Sequence, residues 1–107
     1  MSQRKKKIRS RFREEVFKRD GYQCVFCNEM SELDAHHITD RTEMPNGGYV
    51  KENGITLCGE HHLMAEEFHL SGGTKWVAQM HPEDLYYMIG SSKELAVQQS
   101  VLLKQNY

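Results

Sequence analysis

The most informative segment for the fold is Asn53-Gly54-Ile55-Thr56-Leu57-Cys58-Gly59-Glu60-His61-His62. Residues 55–57, two of them apolar, predict a short strand, and the residues that follow, to about residue 70, have helical composition. Cys58 and His61 therefore lie at a strand-to-helix corner, separated by two residues. This spacing is typical of one half of a zinc site.

Two cysteines upstream, Cys24 and Cys27, supply the matching half. A C-x-x-C turn brings two thiolates together, and zinc prefers four tetrahedral sulfur or nitrogen ligands. All three cysteines of the chain belong to these two pairs, so no thiol remains for a disulfide. We predict a structural Zn²⁺ site formed by Cys24, Cys27, Cys58 and His61. The alternative, three unrelated reduced cysteines, does not explain paired spacing on both sides.

Histidines outside this predicted site form a second group. Adjacent residues on a helix project about 100° apart, so His62 faces away from an ion held by His61. In a strand, neighbouring side chains point to opposite faces, so His36 and His37 divide two tasks. One can ligate a cation, and the other can accept a proton from water as a neutral imidazole. Glu66 shares a helical face with His62 and is either a further ligand or its solvent-exposed partner.

These residues resemble the HNH endonuclease motif, in the order His37, Asn53 and His62. Three further features agree: the upstream run Arg19-Asp20-Gly21-Tyr22-Gln23-Cys24-Val25-Phe26-Cys27, the Gly47-Gly48 turn, and the spacing Asn53-x-x-x-Leu57-Cys58-x-x-His61-His62. The resemblance covers residues from about 11 to 70. One departure is His61, where many relatives carry a fourth cysteine, and zinc accepts either ligand.

The resemblance implies an α+β fold: a small zinc-stapled ββα-metal core with an N-terminal helix and a helical C-terminal extension. It also implies roles, with His37 as the general base and with His36 and His62 as ligands of a catalytic divalent cation. Glu66 is a candidate third ligand. Asn53 would hold the loop between the strands and orient His37, although it can also mark an ordinary Asn-Gly turn. The implied reaction is hydrolysis of DNA phosphodiester bonds, leaving 3′-hydroxyl and 5′-phosphate ends.

One cation and one imidazole suffice for such chemistry. We expect Mg²⁺ or Mn²⁺ at the catalytic position, with Ni²⁺ or Zn²⁺ able to substitute, because imidazole and carboxylate ligands accept several metals. The expected partner is DNA, nicked or cut through both strands with weak sequence preference. The small stand-alone arrangement resembles phage or bacterial enzymes, so work inside a larger packaging or mobile-element complex is a further alternative.

Charge is distributed unevenly along the chain. The formal net charge is −1, yet residues 1–20 carry nine basic side chains against three acidic ones, and the remainder carries five against twelve. A basic segment suits a polyanionic partner through counterion release, although a solvated tail has the same composition. The candidate DNA-contacting residues are one arginine after the histidine pair and five basic residues near the N-terminus: Arg41, Arg4, Lys5, Lys6, Lys7 and Arg9.

Composition divides the chain into three segments. Residues 1–10 are predicted to form a flexible basic arm, because they are charged and nearly free of apolar groups. Residues 11–70 hold the predicted nuclease core. Residues 71–107 are expected to form two helices, the first beginning at Pro82 and the second ending near Lys104. These helices either pack on the core, which we favour, or dock a partner.

Size and hydropathy exclude several classes of protein. A chain of 107 residues with 38% hydrophobic residues predicts one domain with a modest core, for which a metal staple is useful. No apolar run approaches the roughly 18 residues of a membrane span, and the charged N-terminus lacks the apolar segment of a secretory signal. With its cysteines in metal half-sites, the chain is expected in the cytoplasm of a bacterium or phage-infected cell, without a membrane partner.

The main alternative function is a zinc-stapled module that binds nucleic acid or protein without catalysis. The histidine pair, Asn53 and His62 argue against it, because such a module needs neither a base nor an open cation site.

Overall fold

Residues 3–103, the part of the chain that the computed structural model describes, contain two antiparallel strands and four α-helices, with three short 3₁₀ helices in the loop between the strands. The α+β class predicted from the sequence is confirmed. The elements in chain order are α1 (Gln3–Arg19), β1 (Leu33–His37), β2 (Gly54–Cys58), α2 (Gly59–Leu70), α3 (Pro82–Met88) and α4 (Lys93–Leu102). Among the helices of residues 3–103, none combines the length and apolar character needed to cross a membrane.

The two strands form one antiparallel sheet in which Leu33 pairs with Cys58 and His37 pairs with Gly54. Strand β2 is buried along its whole length, because α1 packs directly on it. A Cβ atom at Gly54 would lie 2.5 Å from Cγ2 of Val16 and 2.8 Å from the ring of Phe12. Only glycine therefore allows this close approach of helix and strand, which places the end of β1 beside α1.

Helix α1 begins at Gln3, which corrects the flexible arm predicted over residues 1–10. Arginine and lysine are good helix formers, and Ile8 extends the buried stripe of Phe12 and Val16 at four-residue spacing. The stripe gives the N-terminal turns a face to bury, which composition alone did not reveal. The first two residues lie outside the described range.

The helices after residue 80 pack on the core. Leu85 and Tyr86 of α3 are buried, and α4 lies against the loop that connects the two strands. Asn46 in that loop donates a hydrogen bond from Nδ2 to the carbonyl oxygen of Ser100 at 2.9 Å. These contacts brace the strand-connecting loop from behind. The predicted helix end near Lys104 lies outside the described residues.

Candidate metal centres and catalytic cavity

The two predicted zinc half-sites meet at one place. The ligand atoms of Cys24, Cys27, Cys58 and His61 all lie within 4.8 Å of one another. The Sγ atoms of Cys27 and Cys58 are 3.7 Å apart, and Nδ1 of His61 lies 3.2 Å from Sγ of Cys58. Zinc–sulfur bonds of about 2.3 Å in a tetrahedron would separate two sulfurs by about 3.8 Å. This Cys₃His cluster could therefore bind a metal ion such as zinc.

Backbone hydrogen bonds shape the turn that carries the first two cysteines. The backbone N–H of Asn28 donates to the carbonyl oxygen of Cys24 at 2.9 Å, and Asn28 itself has a φ of 64°, which asparagine tolerates. The N–H of Val25 donates to the carbonyl oxygen of Thr56 at 3.1 Å. The turn is thereby attached to β2, the strand that leads into Cys58.

A second cluster lies on the neighbouring face of α2. Its members are His36 from β1 and His62 and Glu66 from α2, and their ligand atoms also lie within 4.8 Å of one another. Oε1 of Glu66 is 3.3 Å from Nδ1 of His36 and 3.0 Å from Nε2 of His62. We call this group the His₂Glu cluster. Two imidazoles and one carboxylate form a donor set that accepts several divalent metals.

The protonation states of the His₂Glu cluster suit a cation. His36 is only 2% exposed, and neither of its ring nitrogens makes a well-aligned hydrogen bond within residues 3–103, whereas buried polar atoms ordinarily have partners. Burial lowers the pKa of His36, so the imidazole is neutral, the form in which it binds metals. The neighbouring His36 ring lowers the pKa of Glu66 to about 2, which keeps this side chain a carboxylate.

The carboxylate of Asp34 contacts the ring of His62 at the nitrogen that does not face Glu66. Oδ2 of Asp34 lies 3.1 Å from Nδ1 of His62, which leaves Nε2 directed at Glu66. Arg13 approaches the other oxygen of Asp34 at 4.0 Å and donates to the carbonyl oxygen of Leu33 at 3.2 Å. A carboxylate in this position fixes the tautomer and the orientation of a ligating histidine. The contact of Arg13 with Asp34 arises from the packing of α1 on β1, for which the sequence offers no local signal.

His37 points to the opposite face of β1 from His36. Its ring stacks on Phe12 at 4.6 Å between centroids and meets the edge of the Tyr49 ring at 4.8 Å. Burial is the main cause that lowers the pKa of His37 to about 4, and the nearby positive charge of Arg41 acts in the same direction. The imidazole is therefore neutral at neutral pH and has a lone pair that can accept a proton.

A cavity of about 260 Å³ joins His37 to the His₂Glu cluster, and its wall also includes Ala35, Asp40, Arg41 and His69. The Nε2–H of His69 donates to the carbonyl oxygen of His37 at 3.1 Å, and its ring lies 5.3 Å from that of His36. The sequence leaves His69 either next to the site or on the surface, and the structure places it in the cavity wall. Its position seven residues after His62, on the same face of α2, was the available signal.

Asn53 is fully buried and holds the strand-connecting loop with four hydrogen bonds. Oδ1 accepts from the N–H of Thr39 at 3.0 Å and from the hydroxyl of Tyr86 at 2.7 Å. Nδ2 donates to the carbonyl oxygens of Thr39 at 3.0 Å and Gly48 at 3.2 Å. Asn53 is thus more than a turn residue, since it fixes the chain two residues after His37.

The predicted DNA-contacting residues separate into two groups. Arg4, Lys5, Lys6 and Lys7 are exposed on the first turns of α1. Arg9 and Arg41 instead meet at Tyr49: the Arg9 guanidinium lies 5.6 Å from the ring centroid, and Nη1 of Arg41 donates to the hydroxyl at 3.3 Å. The structure therefore places two of the six beside the proposed base.

The fold and the clusters define a small α+β domain with a Cys₃His cluster that could bind a metal ion such as zinc. A second, histidine-lined cavity lies beside it. No protein-family model matches the chain, and neither a curated protein nor a solved structure is significantly similar to it. The class is thus defined by its fold and its candidate metal ligands.

Proposed function

We propose that this protein is a metal-dependent HNH endonuclease that hydrolyses phosphodiester bonds in DNA. The observation that carries the proposal is the cavity in which three metal-binding side chains, His36, His62 and Glu66, meet beside the uncharged His37. A cation position and a proton acceptor in one cavity are the two components that hydrolysis of a phosphodiester requires.

His37 is the proposed general base. Its ring is held between Phe12 and Tyr49, and Asn53 fixes the backbone that follows, so the imidazole is positioned before the substrate arrives. The pKa of about 4 applies without substrate. The negative charge of a phosphodiester in the cavity would raise the proton affinity of the imidazole and bring it closer to the working range of a base.

His36, His62 and Glu66 would hold the divalent cation, with Asp34 behind His62 to orient it. A cation bound there would stabilise the charge that develops on the phosphoryl oxygens and on the leaving 3′-oxygen. The proposed ion is Mg²⁺ or Mn²⁺, which the carboxylate suits, and the two imidazoles allow Ni²⁺ or Zn²⁺ to substitute.

The Cys₃His cluster has a structural role in this proposal. Cys58 and His61 flank the first turn of α2, so a zinc ion held there would fix the start of the helix that carries His62 and Glu66. The zinc ion would then affect the second cluster only by fixing the positions of His62 and Glu66.

The second candidate function is a DNA-binding module without catalysis. The observation that favours it is the set of exposed basic side chains on α1, which requires no chemistry in the cavity. The two candidates can be distinguished by a direct measurement, because only the first predicts that DNA is cleaved.

The deciding experiment is a plasmid assay with zinc-loaded protein and supercoiled DNA. Reactions would contain Mg²⁺, Mn²⁺, Ni²⁺ or a chelator added immediately before the DNA, with the zinc content checked afterwards. We expect metal-dependent conversion to nicked or linear DNA. His37→Ala should lower the rate by about 100-fold or more, the usual contribution of a general base, while DNA binding persists.

His81→Ser is the matched control, because it removes a histidine outside the cavity while leaving a good helix N-cap at the start of α3. It should cleave like the unmodified protein. Cleavage retained in His37→Ala would show that another residue is the base. DNA binding without cleavage in any metal would instead favour the binding module.

A further inference from the structure

A groove of about 330 Å³ lies between α1 and the strand-connecting loop. Lys5, Arg9 and Arg41 line it together with the ring of Tyr49, and none of its lining residues is acidic. Arg41 belongs to the walls of both the groove and the cavity that contains His37. The groove is therefore a cationic surface that adjoins the proposed cleavage site at Arg41.

Tyr49 fixes the geometry where the groove meets the cavity. One face of its ring lies under the Arg9 guanidinium at 5.6 Å, and its hydroxyl accepts a hydrogen bond from Arg41 at 3.3 Å. Its ring is perpendicular to the His37 ring, with 4.8 Å between the two ring centroids. Because of these contacts, two guanidinium groups lie on one wall, close to the proposed base.

The basic side chains of α1 divide between two faces. Lys5 and Arg9 are four residues apart and lie on the groove side, whereas Arg4, Lys7 and Arg11 line a different surface of the helix. A separation of four residues is about 6 Å along the helix axis, short enough for two cations to contact neighbouring phosphates of one strand. Because residues 3–10 are helical, their basic side chains are divided between defined faces, and Lys5 and Arg9 face the groove.

From this geometry we propose that the groove is the path of the DNA strand next to the cleavage cavity, with Arg41 and Arg9 contacting its phosphates. The inference rests on the proposed function and deepens it, since it names the surface that receives the substrate. The chemistry recognised is a phosphodiester backbone, which positions the strand without reading bases. The opposite face of α1 contributes only diffuse attraction.

The test compares charge removals on the two faces of the same helix. Binding of a fluorescent DNA duplex would be measured by anisotropy from roughly 50 to 200 mM salt, with zinc-loaded protein and no second metal, so that no cleavage occurs. Arg9→Gln should lower the slope of log K against log salt by about 0.9, the value for one lost phosphate contact. Arg41→Gln should do the same, whereas Lys7→Gln should change affinity less than twofold.

Arg9→Lys keeps the charge and should retain the slope, which separates loss of a phosphate contact from damage to the packing on Tyr49. Equal losses in Arg9→Gln and Lys7→Gln would overturn the inference, because binding would then follow total charge. Unchanged binding in both Arg9→Gln and Arg41→Gln would also overturn it. Because this experiment measures binding, a failure of the nuclease proposal would be seen separately, in the plasmid assay. The protein would then bind DNA through this groove but would not cleave plasmid with any of the added metals.

Discussion

Two clusters on neighbouring faces of α2 use similar side chains in different ways. The Cys₃His cluster has four ligands drawn from two short pairs, which is a complete tetrahedral set for a structural ion. The His₂Glu cluster offers three candidate ligands and borders a cavity, so an ion bound there would keep a position for water or substrate, as catalytic ions do. The number of ligands and the access to solvent distinguish a metal that holds a fold from one that performs chemistry.

The two adjacent histidines show how little sequence separates the clusters. His61 and His62 differ by about 100° around the helix, and this rotation sends one ring to the cysteines and the other to Glu66. Substitutions at these neighbouring positions should therefore have unrelated consequences, and each prediction below tests one part of that contrast.

The largest effect is expected from His61→Ala, which removes one of four ligands. Structural zinc contributes about 10–16 kcal/mol to folding in small zinc domains, which is at least comparable to the usual net stability of about 5–15 kcal/mol. The variant should lose its zinc and its cooperative thermal transition, as measured by metal analysis and circular dichroism. His61→Cys restores a ligand and should recover both. A zinc-free His61→Ala protein that melts like the unmodified one would remove the structural role.

His62→Ala should leave folding intact and affect the cation and the reaction. The variant loses a proposed ligand of the His₂Glu cluster, so we expect plasmid cleavage to fall by about 100-fold or more, the loss typical of removing one key group from a catalytic site. Zinc content and melting temperature should match those of the unmodified protein. Loss of zinc from this variant would show that the two clusters are a single site.

Asp34→Asn should have a smaller effect, because Asp34 would influence the cation only through His62. Loss of such an orienting carboxylate typically costs about 10–100-fold in metal affinity. The expected result is a shift of the Mn²⁺ dependence of cleavage to higher concentration, with the rate recovered at saturating metal. Glu60→Gln, at an exposed carboxylate on the first turn of α2, should cause no shift. A lower rate at saturating Mn²⁺ in Asp34→Asn would contradict a role limited to orienting the ligand.

The smallest effect on cleavage is expected from Tyr86→Phe, which removes the hydroxyl that bonds the buried amide of Asn53 and the hydroxyl of Thr39. Each buried hydrogen bond contributes about 1 kcal/mol, and each kcal/mol is equivalent to roughly 4–8 °C in the melting temperature of a domain of this size. Zinc content should be unchanged and the cleavage rate should stay within about twofold. A large loss of cleavage at an unchanged melting temperature would mean that Tyr86 acts on the cavity itself.

The contrast between the clusters also explains what could be predicted from the sequence. Ligand pairs separated by two residues form by local turns, so the Cys₃His cluster was predictable from spacing alone. Glu66 was a candidate because it lies four residues after His62 on one helix. The opposite directions of His36 and His37 followed from the alternation of a strand.

The remaining features depend on packing between distant segments. Arg13 reaches Asp34 only because α1 crosses β1, and Phe12 lies on His37 for the same reason. Tyr86 meets Asn53 across 33 positions of sequence. None of these contacts has a local pattern, and the start of α1 was missed because its charged composition also suits a disordered segment.

The most direct test of the two-cluster account measures bound metal and cleavage in the same samples. Protein carrying zinc would be titrated with Mn²⁺, alongside His62→Ala, with metal content and plasmid nicking followed together. We predict one tightly bound zinc per chain that supports no cleavage, and one further ion whose binding parallels the appearance of nicks and is lost in His62→Ala. Full cleavage by protein that carries only one zinc per chain, without added Mn²⁺, would contradict the separate roles of the two clusters. Undiminished Mn²⁺ binding by His62→Ala would contradict them as well.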